Sequence, residues 1–377
     1  MIRNPFLISI ISTLLLASAQ IISTDEPLPA LAQTTGANNQ TGGIEFTFVT
    51  TWGSLGDEPG QFDGQNSVAA SNNSIYVADY YNERMQMFTP EGEFVKMWGG
   101  TYGEADGEFK KPHGVAVDSD GNVYVSERSG LRIQKFDSEG NFITKWGSEG
   151  TGDGQFTHLH DIAVGPGGSS DQASTPASPS SINNNQTTNS NNNEFVYTTD
   201  AENFNVQKFT TDGQFITKWG SEGTGDGQFG GLESLDVDSE GNVYVADSGN
   251  ERVQKFTADG EFILSWGTPG SEAGQFDEPG GVAIDSNDNV YVTDIENHRV
   301  QVFTADGEFI TQIGSSGAEV TTPTGSGASA NGSCCSEGDA DGQFNQPEGV
   351  DVDPQNRVIV ADTGNNRIQI FEQNPAI

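Results

Sequence analysis

Short runs in which apolar and polar residues alternate recur along the chain, separated by clusters of Asp, Asn and Gly. One set occupies residues 234–237, 243–246, 252–256 and 262–266. Its separators are Asp238-Ser239-Glu240-Gly241-Asn242, Asp247-Ser248-Gly249-Asn250 and Ala258-Asp259-Gly260. A period of two sends successive side chains to opposite faces, so each run predicts a β-strand and each separator a hairpin turn. The set of four is itself repeated. Trp-Gly pairs begin at Trp52, Trp98, Trp146, Trp219 and Trp266, with Ile313-Gly314 as a sixth, at spacings of 46, 48, 73, 47 and 47 residues. An insertion at about 165–193, rich in Ser, Asn, Pro and Gly, explains the long interval, and a second at about 315–337 precedes the last unit. Four strands per unit at this period predict an all-β fold, a six-bladed β-propeller of four-stranded antiparallel blades.

The aromatic residues follow the same period. Phe62, Phe109, Phe156, Phe229, Phe276 and Phe344 hold one repeat position. Phe88, Phe136, Phe209, Phe256, Phe303 and Phe371 hold a second, and Phe48, Phe94, Phe142, Phe215, Phe262 and Phe309 a third. All five Trp hold a fourth, so these positions are expected to form the core. The last unit ends at Phe371 after three strands. Residues 48–52 resemble its missing fourth strand, so they are expected to pair with residues 367–371 and close the ring, which removes the exposed edges of an open array.

The unit Asn242-Val243-Tyr244-Val245-Ala246-Asp247, Asn250-Glu251-Arg252-Val253-Gln254-Lys255-Phe256 and Asp259-Gly260-Glu261-Phe262 resembles an NHL repeat. The resemblance covers residues 48–371 apart from the insertions and implies the same six-bladed propeller. It does not fix a function, because the family includes binding scaffolds, ubiquitin-ligase substrate readers and a few enzymes. The Cys/His zinc modules that accompany ligase activity in such proteins have no counterpart here.

The ends and the composition narrow the setting. Arg3, an apolar run at 6–17 and the small-x-small site Ala17-Ser18-Ala19 have the layout of a signal peptide at 1–19, followed by a flexible linker at 20–43. Cleavage after Ala19, cleavage after Ala32 and retention as an anchor all remain open. The propeller is expected at 44–372, with a short tail at 373–377. A secreted or cell-envelope location follows, with no membrane span in the mature chain. The formal charge is −38, from 16 Lys and Arg against 54 Asp and Glu. Such acidity excludes a nucleic-acid partner and docking on anionic lipid, both of which need clustered cations. Adjacent Cys334 and Cys335 exclude a disulfide framework. A vicinal disulfide, a bond between chains and free thiols stay open for them.

Residues shared by every unit are expected to be structural, as are the pairs Asp79/Arg84, Asp247/Arg252, Asp294/Arg299 and Asp362/Arg367. Departures from the repeat are better functional candidates. Just ahead of each innermost strand, nearest the axis on the top face, the sequence reads Asn66, His113, His160, Glu233, Gly280 and Glu348. His113, His160, Glu233 and Glu348 are candidate ligands for a divalent ion, with zinc the first choice and calcium, for which Asp339-Ala340-Asp341-Gly342 also stands, the second. Pro112-His113-Gly114 resembles the zinc-site motif of peptidyl-α-hydroxyglycine α-amidating lyase, and Leu159-His160-Asp161 matches it in part. That lyase takes three His from separated blades, whereas here two neighbouring blades supply them. Tyr80, Tyr81, Tyr102, Phe204, Arg128 and His298 are non-repeat residues assigned to top loops, where they would form a ligand platform. The resulting reading is an exported scaffold that binds a protein, glycan or small molecule through its top face. The alternative is a metal-dependent lyase or hydrolase with Tyr80 or Tyr81 as base and Arg128 as anion contact, and a structural envelope protein is a third.

Overall fold

Each alternating run forms a strand. The computed structural model describes residues 44–167, 193–314 and 336–374. The expected signal peptide and linker, most of both insertions, and Cys334 and Cys335 lie outside them. Among the described residues the strands form six four-stranded antiparallel sheets. The innermost strands of blades 1 to 6 are Gln65–Ala70, Pro112–Val117, Leu159–Pro166, Leu232–Val237, Pro279–Ile284 and Pro347–Val352. Each of these contacts the next, and the sixth contacts the first, so the sheets stand as blades around one axis.

Closure is by the expected segment, with the pairing extended at one end. Strand Glu45–Trp52 pairs antiparallel with Arg367–Asn374, placing Phe48 opposite Phe371 and Glu45 opposite Asn374. The expected tail at 373–377 therefore contributes Gln373 and Asn374 to the ladder. The first insertion likewise begins later than expected: Gly165 and Pro166 belong to the inner strand of blade 3, and the Gly167 N–H donates to the Asn193 carbonyl at 2.9 Å.

The apolar core is divided into six separate clusters, one between each pair of neighbouring blades. The first two Phe positions are buried, at 0–1% exposure. The third is not a core position throughout. Phe94 and Phe309 are 39% and 37% exposed, because they stand on outermost strands and touch the core only through edge contacts such as Phe88–Phe94 at 5.9 Å. Each Trp reaches from the outermost strand of one blade to the next blade: Trp52 meets Phe88 at 5.5 Å, and Trp219 meets Phe256 at 6.0 Å. Ile313 takes this role between blades 5 and 6, where it packs with Phe344 and Phe371. The indole lies flat on the hairpin glycine of the next blade. At Gly260, φ is +87° and a Cβ would fall 2.4 Å from Trp219, so a side chain there is excluded twice over.

The shared Asp and Arg residues are structural, as expected. Arg252 Nε meets Asp247 Oδ2 at 2.8 Å, while its Nη2 donates to the carbonyls of Gly225 and Gln228 and Asp247 accepts the Gly230 N–H. One buried ion pair thus pins the loop that leads from one blade to the next. Blade 2 uses Glu127 and Arg132 in the same way, at 2.6 Å. In blade 3 Asn205 stands in the arginine position.

Two stability predictions follow from these contacts. Deleting residues 44–52 removes Ile44, Phe46 and Phe48 from the apolar cluster between blades 5 and 6 and Trp52 from that between blades 6 and 1, and is expected to abolish cooperative thermal unfolding; an unchanged melting temperature would refute the closure. Gly260→Ala is expected to cost about 2–4 kcal/mol in denaturant unfolding, from backbone strain plus overpacking against Trp219.

Candidate functional site

The inner strands do not pair with one another, so their second residues face the axis. A register shift falls at this point in every inner strand, as between Pro112 and Val115 or Leu232 and Leu235. Asn66, His113, His160, Glu233, Gly280 and Glu348 are therefore strand residues at a bulge, not residues of the preceding loop as the sequence suggested. The bulge releases backbone groups, and hydroxyls of the second strands take them. Ser126 Oγ accepts the Gly114 N–H at 2.9 Å and donates to the His160 carbonyl of the next blade at 2.8 Å. Thr199 and Thr293 hold the Glu233 and Glu348 carbonyls in the same manner, at 3.0 and 2.8 Å. Three of the six ring positions, His160, Glu233 and Glu348, are thus held from behind by the neighbouring blade.

These residues open onto an axial cavity of about 530 Å³. Seven of the sequence candidates line it: Tyr80, Tyr81, His113, Arg128, His160, Glu233 and Glu348. The His113 and His160 rings lie 4.0 Å apart between centroids. Asn66 Nδ2 and His113 Nε2 are 3.0 Å apart, and His160 Nδ1 lies 3.2 Å from both Glu233 Oε2 and the Glu233 carbonyl. Tyr80 stands edge-on to Tyr81 at 4.8 Å and to His113 at 5.7 Å. Lys111 Nζ sits over both tyrosine rings, at 4.9 and 4.5 Å, and pairs with Glu83 at 3.1 Å.

Tyr102, Phe204 and His298 do not line the cavity. Tyr102 is 60% exposed and occupies a repeat bridge with Phe109, matched by Leu55 with Phe62 and Glu149 with Phe156. Phe204 and His298 share a left-handed loop position, with φ of +51° and +52°. Phe204 packs on the cluster between blades 3 and 4. His298 Nδ1 accepts the Gln346 N–H at 3.0 Å, as Glu83 and Glu251 accept the N–H groups of Lys111 and Glu278 from their next blades. In the loop 339–342, the Asp339 and Ala340 carbonyls accept hydrogen bonds from Arg367.

Five cavity carboxylates were missed: Asp161, Asp236, Glu278, Glu296 and Asp351. Asp236 and Asp351 stand where other inner strands carry Ala69, Ala116, Ala163 and Ala283, so aligning the units by this position would have found them. The three aspartates each bridge to the next blade. Asp236 Oδ2 accepts the Ile284 N–H at 2.8 Å, Asp351 Oδ2 accepts the Ala70 N–H at 2.6 Å, and Asp161 Oδ2 accepts from the Ser234 hydroxyl.

Burial dominates the electrostatics. It raises Glu233 to about 7, helped by the charge of Glu278, and Glu348 to about 7, helped by Glu233 and Glu278. Burial lifts Asp161 to about 6 and Asp351 to about 7, and it holds Asp236 well above the usual range with help from Asp351. The same desolvation depresses the imidazoles. His160 falls to about 3 and His113 lies well below its ordinary value, with Arg128 adding to both shifts and His160 to that of His113. Near neutrality the site therefore presents two neutral imidazoles beside carboxyls poised to exchange protons. Imidazole and carboxylate suit a divalent ion, but among the described residues no group of three or more His, Cys, Asp or Glu side chains has metal-binding geometry.

Together the blades and their cavity define a β-propeller with a polar cavity along its axis. Four segments, residues 109–136, 229–256, 276–303 and 344–371, match the NHL repeat family model, so the chain is an NHL-repeat β-propeller. Similar sequences include the E3 ubiquitin-protein ligase TRIM71 of Gallus gallus, 57% identical over 37 residues, and Protein brain tumor of Drosophila melanogaster, 61% identical over 33. These matches cover 10% and 9% of this chain, and only 4% and 3% of those proteins. Similar solved structures include a Bacteroides thetaiotaomicron protein of unknown function, at TM-score 0.59 and 16% identity, covering 88% of this chain and 76% of that one. A streptogramin B lyase gives TM-score 0.53 at 13% identity over 88% and 98% of the two chains. A gluconolactonase from Xanthomonas campestris gives 0.54 at 12% over 88% and 95%. At these identities the likeness is one of fold.

The pKa shifts set the sign of the pH dependence. Carboxyls raised in the folded state add stability that is complete below their unfolded values and is lost as pH rises through 6 to 7. The two imidazoles act oppositely: their contribution is present above about 6.5 and is lost as pH falls below it. Five carboxyls outweigh two imidazoles, so the melting temperature is expected to rise by several degrees from pH 8 to pH 5.5. Glu348→Gln is expected to shrink that rise. A melting temperature that is flat, or that falls on acidification, would contradict the arrangement.

Proposed function

We propose that this protein is an exported NHL-repeat propeller that binds a small molecule in the axial pocket of its top face. One observation carries the reading: seven residues that break the repeat converge on a single cavity, although they come from five different blades. The cavity volume of about 530 Å³ lies within the range of about 300–1,000 Å³ usual for small-molecule sites. The hydroxyl supports behind the ring make the pocket preformed, which lowers the entropic cost of binding. The signal-like segment at the N-terminus supports export.

A second reading, metal-dependent lyase or hydrolase chemistry, is favoured by the close His113–His160 pair with Glu233 at hydrogen-bond distance from His160. In that reading His113, His160, Glu233 and Glu348 would hold a divalent ion, zinc before calcium, which would polarise a substrate oxygen or activate water. Tyr80 or Tyr81 would serve as the base and Arg128 as the anion contact. The fold accommodates either reading, since it is shared by the lyase and the gluconolactonase above.

Thermal-shift screening of a small-molecule library against the wild type and the His113→Ala/His160→Ala variant separates the readings. A ligand at about 100 times its Kd is expected to stabilise the wild type by about 2.7 kcal/mol and to lose that effect in the variant. Stabilisation identical in both proteins would contradict the axial site. Elemental analysis decides the second reading: a divalent metal that disappears in the variant supports it, and metal content indifferent to the two substitutions refutes it.

A further inference from the structure

The mouth of the axial cavity is electrically divided. Two residues before the ring position, blade 2 carries Lys111 and blade 5 carries Glu278, with φ of +60° and +63°. In a ring of six these blades face each other. One residue after the acid that ends the second strand, blades 1 and 2 carry Tyr80 and Arg128, where blades 5 and 6 carry Ile295 and Thr363. At the ring itself, blades 4 and 6 carry Glu233 and Glu348. Arg128 and the tyrosine rings thus occupy one side of the mouth, where Lys111 is already paired with Glu83, and the carboxyls of Glu233, Glu278 and Glu348 occupy the other.

Two of these groups lack a contact partner, although the charge of Arg128 is felt by Glu348 and Glu233 across the cavity. Each other arginine of the described residues pairs with a carboxylate of its own blade. The Arg128 guanidinium, half-buried against the cavity, makes no hydrogen bond or ion pair among the described residues, and neither does the Glu348 carboxyl. In a chain of charge −38 with 16 cationic side chains, an arginine without a carboxylate partner is an exception. Partly desolvated charged groups recover most when a ligand supplies the missing partner.

We propose that the cavity is a site for a short zwitterionic peptide, with its carboxylate on Arg128 beside Tyr80 and its ammonium among Glu233, Glu278 and Glu348. This rests on the ligand-binding reading above and names its ligand class. A simple anion would use only the Arg128 side. A bare cation would use only the acidic side and would be repelled by Arg128. A molecule with both charges uses both, and placing them on opposite sides of a cavity this large calls for more than one residue of backbone between them. Tyr80 and Tyr81, which line the same cavity, add apolar surface for the peptide's body.

The test is isothermal titration calorimetry of the full chain with trialanine, N-acetyl-trialanine, trialanine amide, the doubly blocked peptide and free alanine. Trialanine is expected to bind saturably, and each block is expected to weaken binding about tenfold or more. Arg128→Gln should remove the penalty for amidation and keep the penalty for acetylation; Glu348→Gln should lessen the penalty for acetylation and keep that for amidation. Both variants should retain the wild-type circular dichroism. No saturable binding of trialanine at about 10 mM would overturn the proposal, as would equal affinity for blocked and free peptides, or alanine binding as tightly as trialanine. A chain that ignores the peptides yet shows histidine-dependent stabilisation in the library screen would lose the zwitterion and keep the pocket.

Discussion

Everything in this molecule depends on the pairing of Glu45–Trp52 with Arg367–Asn374. Among the described residues there is no single central core. The apolar side chains are shared out among six interfaces, and each blade can bury both faces only if it has two neighbours. In a closed ring that condition is met for every blade, and the N-terminal strand meets it by completing the last one. Closure also fixes the inner strands around the axis at a separation too great for them to pair. The ring positions point inward into a channel because the strands that carry them have no partner on that side.

That geometry gives the site its chemistry. Backbone groups freed by the inner-strand bulges are taken by Ser126, Thr199 and Thr293, and the N–H groups of neighbouring inner strands are taken by Asp236 and Asp351. Polar bridges replace a β-ladder where the blades converge. They place carboxyls in a poorly hydrated channel, so these carboxyls hold protons at pH values where exposed ones would be charged. The neutral imidazoles of His113 and His160 arise from the same desolvation. Scaffold and site are made of one set of interactions, and a change in the protonation of one is felt by the other.

The fold was largely legible in the sequence because the repeat states it six times over. A period-two pattern, a recurring Trp-Gly and an orphaned strand at 48–52 suffice for blade count, strand order and closure. The site was legible only where it departed from the repeat. His113, Arg128 and Glu348 stood out against their equivalents, and the structure places them at one cavity. Phe204 and His298 departed from the repeat for another reason. Their left-handed loop position tolerates any side chain that can pack on, or accept a hydrogen bond from, the next blade. Sequence alone cannot distinguish a loop residue turned toward the axis from one turned toward a neighbour. Asp236 and Asp351 were hidden because a carboxyl in an alternating strand looks solvent-facing, and only the ring turns that face into a channel.

The central claim is that the axial mouth is a preformed, two-sided charge site. It is tested most directly by a crystal structure of the protein grown with trialanine. The account predicts the peptide in the axial cavity, its carboxylate within hydrogen-bond distance of Arg128 and its ammonium against Glu348 or Glu233, with the ring residues unmoved. Peptide density on the outer strands or the opposite face, with the cavity filled by water alone, would contradict it.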